Sequence, residues 1–169
     1  MPNWINNIIR VESRKHDNQE LVVDFLKKYL TTVDDHTFFD FNKVIPAPDK
    51  ELEYKPLDER LNGPQPNIAW RRRYWGVKWN SYGNQCFDYD NILKSTSDLG
   101  AVHIFFRTAW HPPYPIIKKV IHDNPELDIN WDYYSYESDY GGSIGYENYK
   151  EEYIWDCQYK FQFQKEEHY

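Results

Sequence analysis

The decapeptide RRRYWGVKWN, residues 71–80, sets four cations around three aromatic rings in a chain whose net charge is −7. These residue types suit one kind of ligand, a planar group carrying an anion. A guanidinium fork takes a phosphate or carboxylate through two parallel hydrogen bonds, and an ammonium acts as a point charge. Indole and guanidinium planes stack on flat bases, worth about 1–3 kcal/mol per base in single-strand binders. If the segment is helical, Trp75 and Trp79 share a face, Arg71 extends it and Lys78 sits beside it. Asn80 adds an amide able to read a base or ribose edge. A competing expectation needs no ligand. Both indoles pack the segment onto the rest of the fold, and Arg71, Arg72 and Arg73 pair with residues 121–169, which hold twelve Asp and Glu against three Lys.

Two further residues join the candidate set of Arg71, Arg73, Trp75, Lys78, Trp79 and Asn80. Arg107 lies in GAVHIFFRTA, where alternation puts it on one strand face with His103 and Phe105, opposite Val102, Ile104 and Phe106. A charge in such a strand reaches solvent or meets an anion. Trp110 and Tyr114 flank His-Pro-Pro at the end of that strand, where they either wall a pocket or pack. His111 becomes a proton donor if it lines a cleft. No catalytic residue is assigned: HExxH and GxGxxG are absent, and the neighbouring carboxylates Glu151 and Glu152 lie in the acidic tail. Asn3 and Trp4 read as structural. Cys86 and Cys157 form no metal spacing and read as small buried side chains, so neither metal nor cofactor is expected.

The elements that must position these residues are legible in the periodicity. Residues 3–12 alternate as a strand, Ile5, Ile9 and Val11 against Trp4, Ile8 and Arg10. In DNQELVVDFLKKYL, Asp17 and Glu20 form a capping-box pattern, and Leu21, Val22, Phe25, Leu26, Tyr29 and Leu30 recur on one helical face. Residues 34–80 carry Pro46, Pro48 and NGPQP, and read as an irregular insertion with a short extended piece near 38–45. Strands follow at 85–90 and 100–109. A helix begins among the prolines of HPPYPIIKKVIHDNP, with Ile116, Ile117, Val120 and Ile121 as its apolar stripe. A strand covers 127–136, DYGGSIG reads as a turn, and residues 152–163 alternate as a half-buried strand. Without the insertion and the C-terminal strand extension, about 140–164, the order is βαββαβ. That predicts a single α+β domain over 1–169, a ferredoxin-like antiparallel sheet with two helices on one face. Residues 34–80 then cover the other face, or leave it open for binding.

Five stretches in order, MPNW, FDFNKVIPAP, YWGVKWN, FFRTAWHPPYPIIKK and YESDYGGSIGY, resemble the YubB-type ferredoxin-like domain family of bacteriophages and plasmids. The resemblance spans nearly the whole chain. It implies a ferredoxin-like fold and a phage or plasmid origin, and it supplies no catalytic residue. Ile5 stands where that family often has cysteine, and Val77 where threonine is common.

The composition leads to a cytoplasmic, non-catalytic binding protein. With no leading apolar segment, neither a signal peptide nor a membrane partner is expected. An acidic chain does not generate the positive field that double-stranded nucleic acid requires. The favoured partner is a small anionic, nucleotide-derived ligand, such as a host defence signal captured by a phage protein. An acidic, Tyr-rich surface docking a host protein is the alternative, and a single-stranded nucleic-acid binder the next. Strand edges near the tail are expected to allow a homodimer.

Overall fold

A computed structural model of the chain describes residues 3–14, 19–33, 36–48, 67–83, 101–138, 140–147 and 150–157, with side chains described up to residue 145. Asp17, Cys86 and the 85–90 strand therefore lie outside the described residues, as do the side chain of Cys157 and the side-chain alternation of the tail. Alternating apolar residues form β1 (Trp4–Ser13), which buries Ile5, Asn7, Ile9 and Val11. Helix α1 (Glu20–Tyr29) follows, starting after Gln19 and burying Val22, Phe25, Leu26 and Tyr29. A hairpin of β2 (Leu30–Val33) and β3 (His36–Phe39) leads into the short α2 (Phe41–Val44). The cationic segment forms α3 (Ile68–Tyr74). Strand β4 (Ala101–Ala109), helix α4 (Tyr114–His122) and strands β5 (Leu127–Ser135), β6 (Tyr140–Glu147) and β7 (Lys150–Cys157) complete the described chain.

The architecture is α+β, with an antiparallel sheet in the order β4-β1-β5-β6-β7 and a separate β2-β3 hairpin. β1 is antiparallel to both β4 and β5, so those two run parallel to each other on either side of it, joined through α4. Register places Ile9 opposite Ile104 and Trp131, and Val11 opposite Val102 and Ile129. This apolar face meets the stripes of α1 and α4 in one core. Burial of such a face is the main favourable term in folding. The opposite face carries the exposed His103 and Phe105 and the half-buried Ile8, Arg10, Arg107 and Tyr134. Among the described residues no helix is long and apolar enough to cross a membrane.

Two expectations change. The described part of 34–80 packs on the helix side of the sheet. Phe39 stacks on Phe106 with centroids 5.4 Å apart and meets Trp131 edge-on at 5.8 Å. Three rings in this stretch, Phe39, Phe41 and Trp75, are worth more sealed against the inner face than spread over the polar one. Within DYGGSIG, residues 140–145 are strand, not turn. Gly141 and Gly142 pair with Tyr134 and Tyr133 in the β5–β6 ladder, and their positive-φ freedom goes unused. Ladder hydrogen bonds there outweigh the weak strand propensity of glycine.

Candidate functional site

Helix α3 ends before its pattern does. Trp75 caps it, its N–H bonded to Arg71 O at 2.7 Å, and Gly76 turns the chain at φ 81°. A Cβ on Gly76 would lie 3.0 Å from Pro115 Cδ, so glycine both makes the turn and lets the loop approach the start of α4. Trp75 and Trp79 consequently do not share a helical face.

This geometry separates the sequence candidates into three groups. Trp75, Arg71 and Asn80 are structural. Trp75 is 0% exposed, its Nε1 donates to Ile45 O at 2.7 Å, and its ring meets Phe41 edge-on. The expected stacking role of Trp75 is thereby corrected: an indole sealed among rings has no face left for a ligand. Arg71 is 4% exposed, with its guanidinium 5.3 Å from the Trp75 ring centroid. Asn80 is also buried. Its Oδ1 accepts from Phe41 N and Ser81 N, and its Nδ2 donates to Asp40 Oδ1, each at 2.9 Å. With these hydrogen bonds made internally, Asn80 joins α2 to the loop after α3 and does not read a ligand edge.

Lys78 and Trp110 form the second group, brought together across a cleft of about 460 Å³ lined by Arg72, Gly76, Val77, Lys78, Ala109, Trp110 and His111. No carboxylate lines it among the described residues. Lys78 Nζ sits 3.8 Å from the ring centroid of the half-buried Trp79, which holds the ammonium by a cation–π contact. Arg72 is exposed. His111 takes the cleft position the sequence left conditional. Arg73 and Arg107 make the third group, outside this lining: Arg73 lies over Tyr74, and Arg107 over Trp4 and Tyr82 on the sheet's polar face.

Trp110 has the least ordinary backbone in the site. It adopts φ 75°, and its side chain is 47% exposed. A left-handed conformation costs a bulky L-residue about 1–2 kcal/mol. Neighbouring hydrogen bonds hold it there. Trp110 N donates to Asn3 O at 2.8 Å, and Thr108 Oγ1 donates to His111 O at 2.7 Å. The buried Asn7 supports that hydroxyl, donating through Nδ2 to Thr108 Oγ1 at 3.0 Å while its Oδ1 accepts from Trp131 Nε1 at 3.2 Å. A buried polar chain thus runs from the centre of the sheet to the cleft wall. Thr108→Val keeps the shape but deletes the hydroxyl. It should cost about 1–3 kcal/mol, because Asn7 and His111 each lose a partner; urea unfolding with an unchanged slope would measure it.

The sequence set omitted Arg72 and the backbone-shaping Gly76. Arg72 was visible within the cationic run, but nothing in composition separates it from the buried Arg71; the turn of α3 does. Comparison of the chain with protein-family models, with curated proteins and with solved structures finds no match.

Proposed function

We propose that this chain is a ferredoxin-like, phage- or plasmid-type cytoplasmic protein that captures a small anionic, nucleotide-derived ligand in the cleft between the loop after α3 and the end of β4. The parallel pair β4 and β5 around β1 and the five-motif resemblance support the fold reading. The observation that carries the functional reading is Trp110, an exposed indole held in a costly backbone conformation beside Lys78 and Arg72, in a cleft that no carboxylate lines among the described residues. Strain of this kind persists where the surrounding structure enforces it, and it clusters at ligand clamps. Trp110 supplies a stacking plane, Lys78 and Arg72 supply charge, and His111 a further polar contact.

Isothermal titration against a panel of mono-, di- and cyclic nucleotides and ADP-ribose-type compounds tests this reading. Binding should weaken with added salt, as screening reduces contacts between exposed charges. Heat from none of the panel would remove the proposal. Trp110→Gly should separate binding from folding. Relief of the left-handed backbone offsets glycine's entropy cost, so stability should stay within about 1 kcal/mol of the parent. Affinity for a ligand stacked on the indole should fall about tenfold or more, matching 1–3 kcal/mol of stacking.

A further inference from the structure

Arg107 stands beside the cleft in a setting built to keep a guanidinium in place. Trp4 and Tyr82 stack with centroids 5.1 Å apart and planes 15° from parallel, and the Arg107 guanidinium carbon lies 5.4 Å from the Trp4 centroid and 6.0 Å from that of Tyr82. Two backbone hydrogen bonds, Tyr82 N to Arg107 O at 2.9 Å and Arg107 N to Tyr82 O at 2.7 Å, fix the ring beside this arginine. Gly83 completes the enclosure: a Cβ there would lie 2.5 Å from Arg107 Nη2. Among the described residues no carboxylate pairs with Arg107. The guanidinium carbon lies against the stacked pair and Gly83 abuts its Nε–Nη2 edge, so an anion would be met by the Nη1–Nη2 end of the fork.

Arg107 and Ala109 are alternate residues of β4, so their side chains leave the same side of the sheet about 7 Å apart along the strand. Ala109 lines the cleft and pairs with Trp4 across the β1–β4 ladder. We infer that the cleft continues past Ala109 to Arg107, and that the ligand carries two anionic groups, one met by Lys78 and Arg72 and the other by Arg107. This rests on the cleft reading above and narrows its ligand class to nucleotides with two separated phosphates.

The test titrates nucleoside 5′-monophosphates and the corresponding 3′,5′-bisphosphates into the whole protein. The parent should prefer bisphosphate at least tenfold. Lys78→Ala should weaken both ligands. Arg107→Gln should weaken the bisphosphate at least tenfold more than the monophosphate, and Arg107→Lys, which keeps a charge but loses the fork, should recover part of that preference. Equal affinity of the parent for the two ligands overturns the inference without any variant. So does an Arg107→Gln protein that weakens both alike or retains the preference; in those cases the cleft reading survives. No binding of either ligand class to the parent sinks both.

Discussion

Replacing Phe39 with alanine should cost about 3–5 kcal/mol of folding free energy, the range for a buried aromatic reduced to a methyl. Phe39 is fully buried and touches rings from three directions: stacked on Phe106, edge-on to Trp131 and Phe41, tilted against Tyr29. It is the contact by which the β2–β3 hairpin joins the sheet and α1 at once. The surrounding rings come from different elements and cannot all relax into one vacancy, which places the cost toward the upper end. Phe39→Leu, closer in volume, should cost about 1.5 kcal/mol or less. Chemical denaturation with an unchanged slope measures both. A loss below about 1.5 kcal/mol for the alanine variant would show that the hairpin is not sealed onto the sheet as described.

Asp40→Ala should be nearly as damaging, about 3 kcal/mol. Asp40 is buried at the start of α2. Its Oδ1 accepts from Asn42 N and Asn80 Nδ2, each at 2.9 Å, and its Oδ2 from Thr31 Oγ1 at 2.8 Å. Removing the carboxylate leaves buried donors unsatisfied, at about 1–3 kcal/mol for each that water cannot reach. Asp40→Asn should cost less, about 1 kcal/mol, since its oxygen can still accept and the Thr31 hydroxyl can rotate to accept from the new amide. The damage should extend to ligand binding. Asn80 begins the stretch that leads to Tyr82, so freeing its side chain loosens Lys78 on one side and the Arg107 enclosure on the other. Titration of Asp40→Ala, at a temperature where it stays folded, should show weaker binding without any cleft residue having changed, whereas Asp40→Asn, which keeps the acceptor for Asn80 Nδ2, should bind nearly as the parent does. Affinity of the alanine variant equal to the parent would mean that the loop is held independently of Asp40.

Strong periodicity made β1, α1, β4, α4 and β5 readable from the sequence, and the stripes Val22–Phe25–Leu26–Tyr29 and Ile116–Ile117–Val120–Ile121 are buried as their spacing predicts. Periodicity reports which face is apolar, and burial then follows. It was silent on β6, because glycines carry no face to report; that strand is held by backbone pairing with β5. The cationic segment misled for a different reason. Trp75 and Trp79 have the same side chain and similar neighbours, yet one is sealed and the other half-buried. The difference arises from the Gly76 turn and the rings of Phe41 and Trp70, which are tertiary facts. The cleft was legible in part. Lys78 and Trp110 were each suspect by type, but their meeting depends on the approach of Gly76 to Pro115. A left-handed tryptophan has no sequence signature, since that conformation is ordinarily left to glycine and asparagine.

The central place of β1 has a consequence for the newborn chain. This apolar strand leaves the ribosome before either of its ladder partners, which begin only at Ala101 and Leu127. At usual synthesis rates it waits roughly 5–20 s for the first of them. During that interval Ile5, Ile8, Ile9 and Val11 form an unpaired sticky segment. Its early shelter must come from α1 docking locally or from a chaperone, and truncated chains ending before β4 are expected to aggregate.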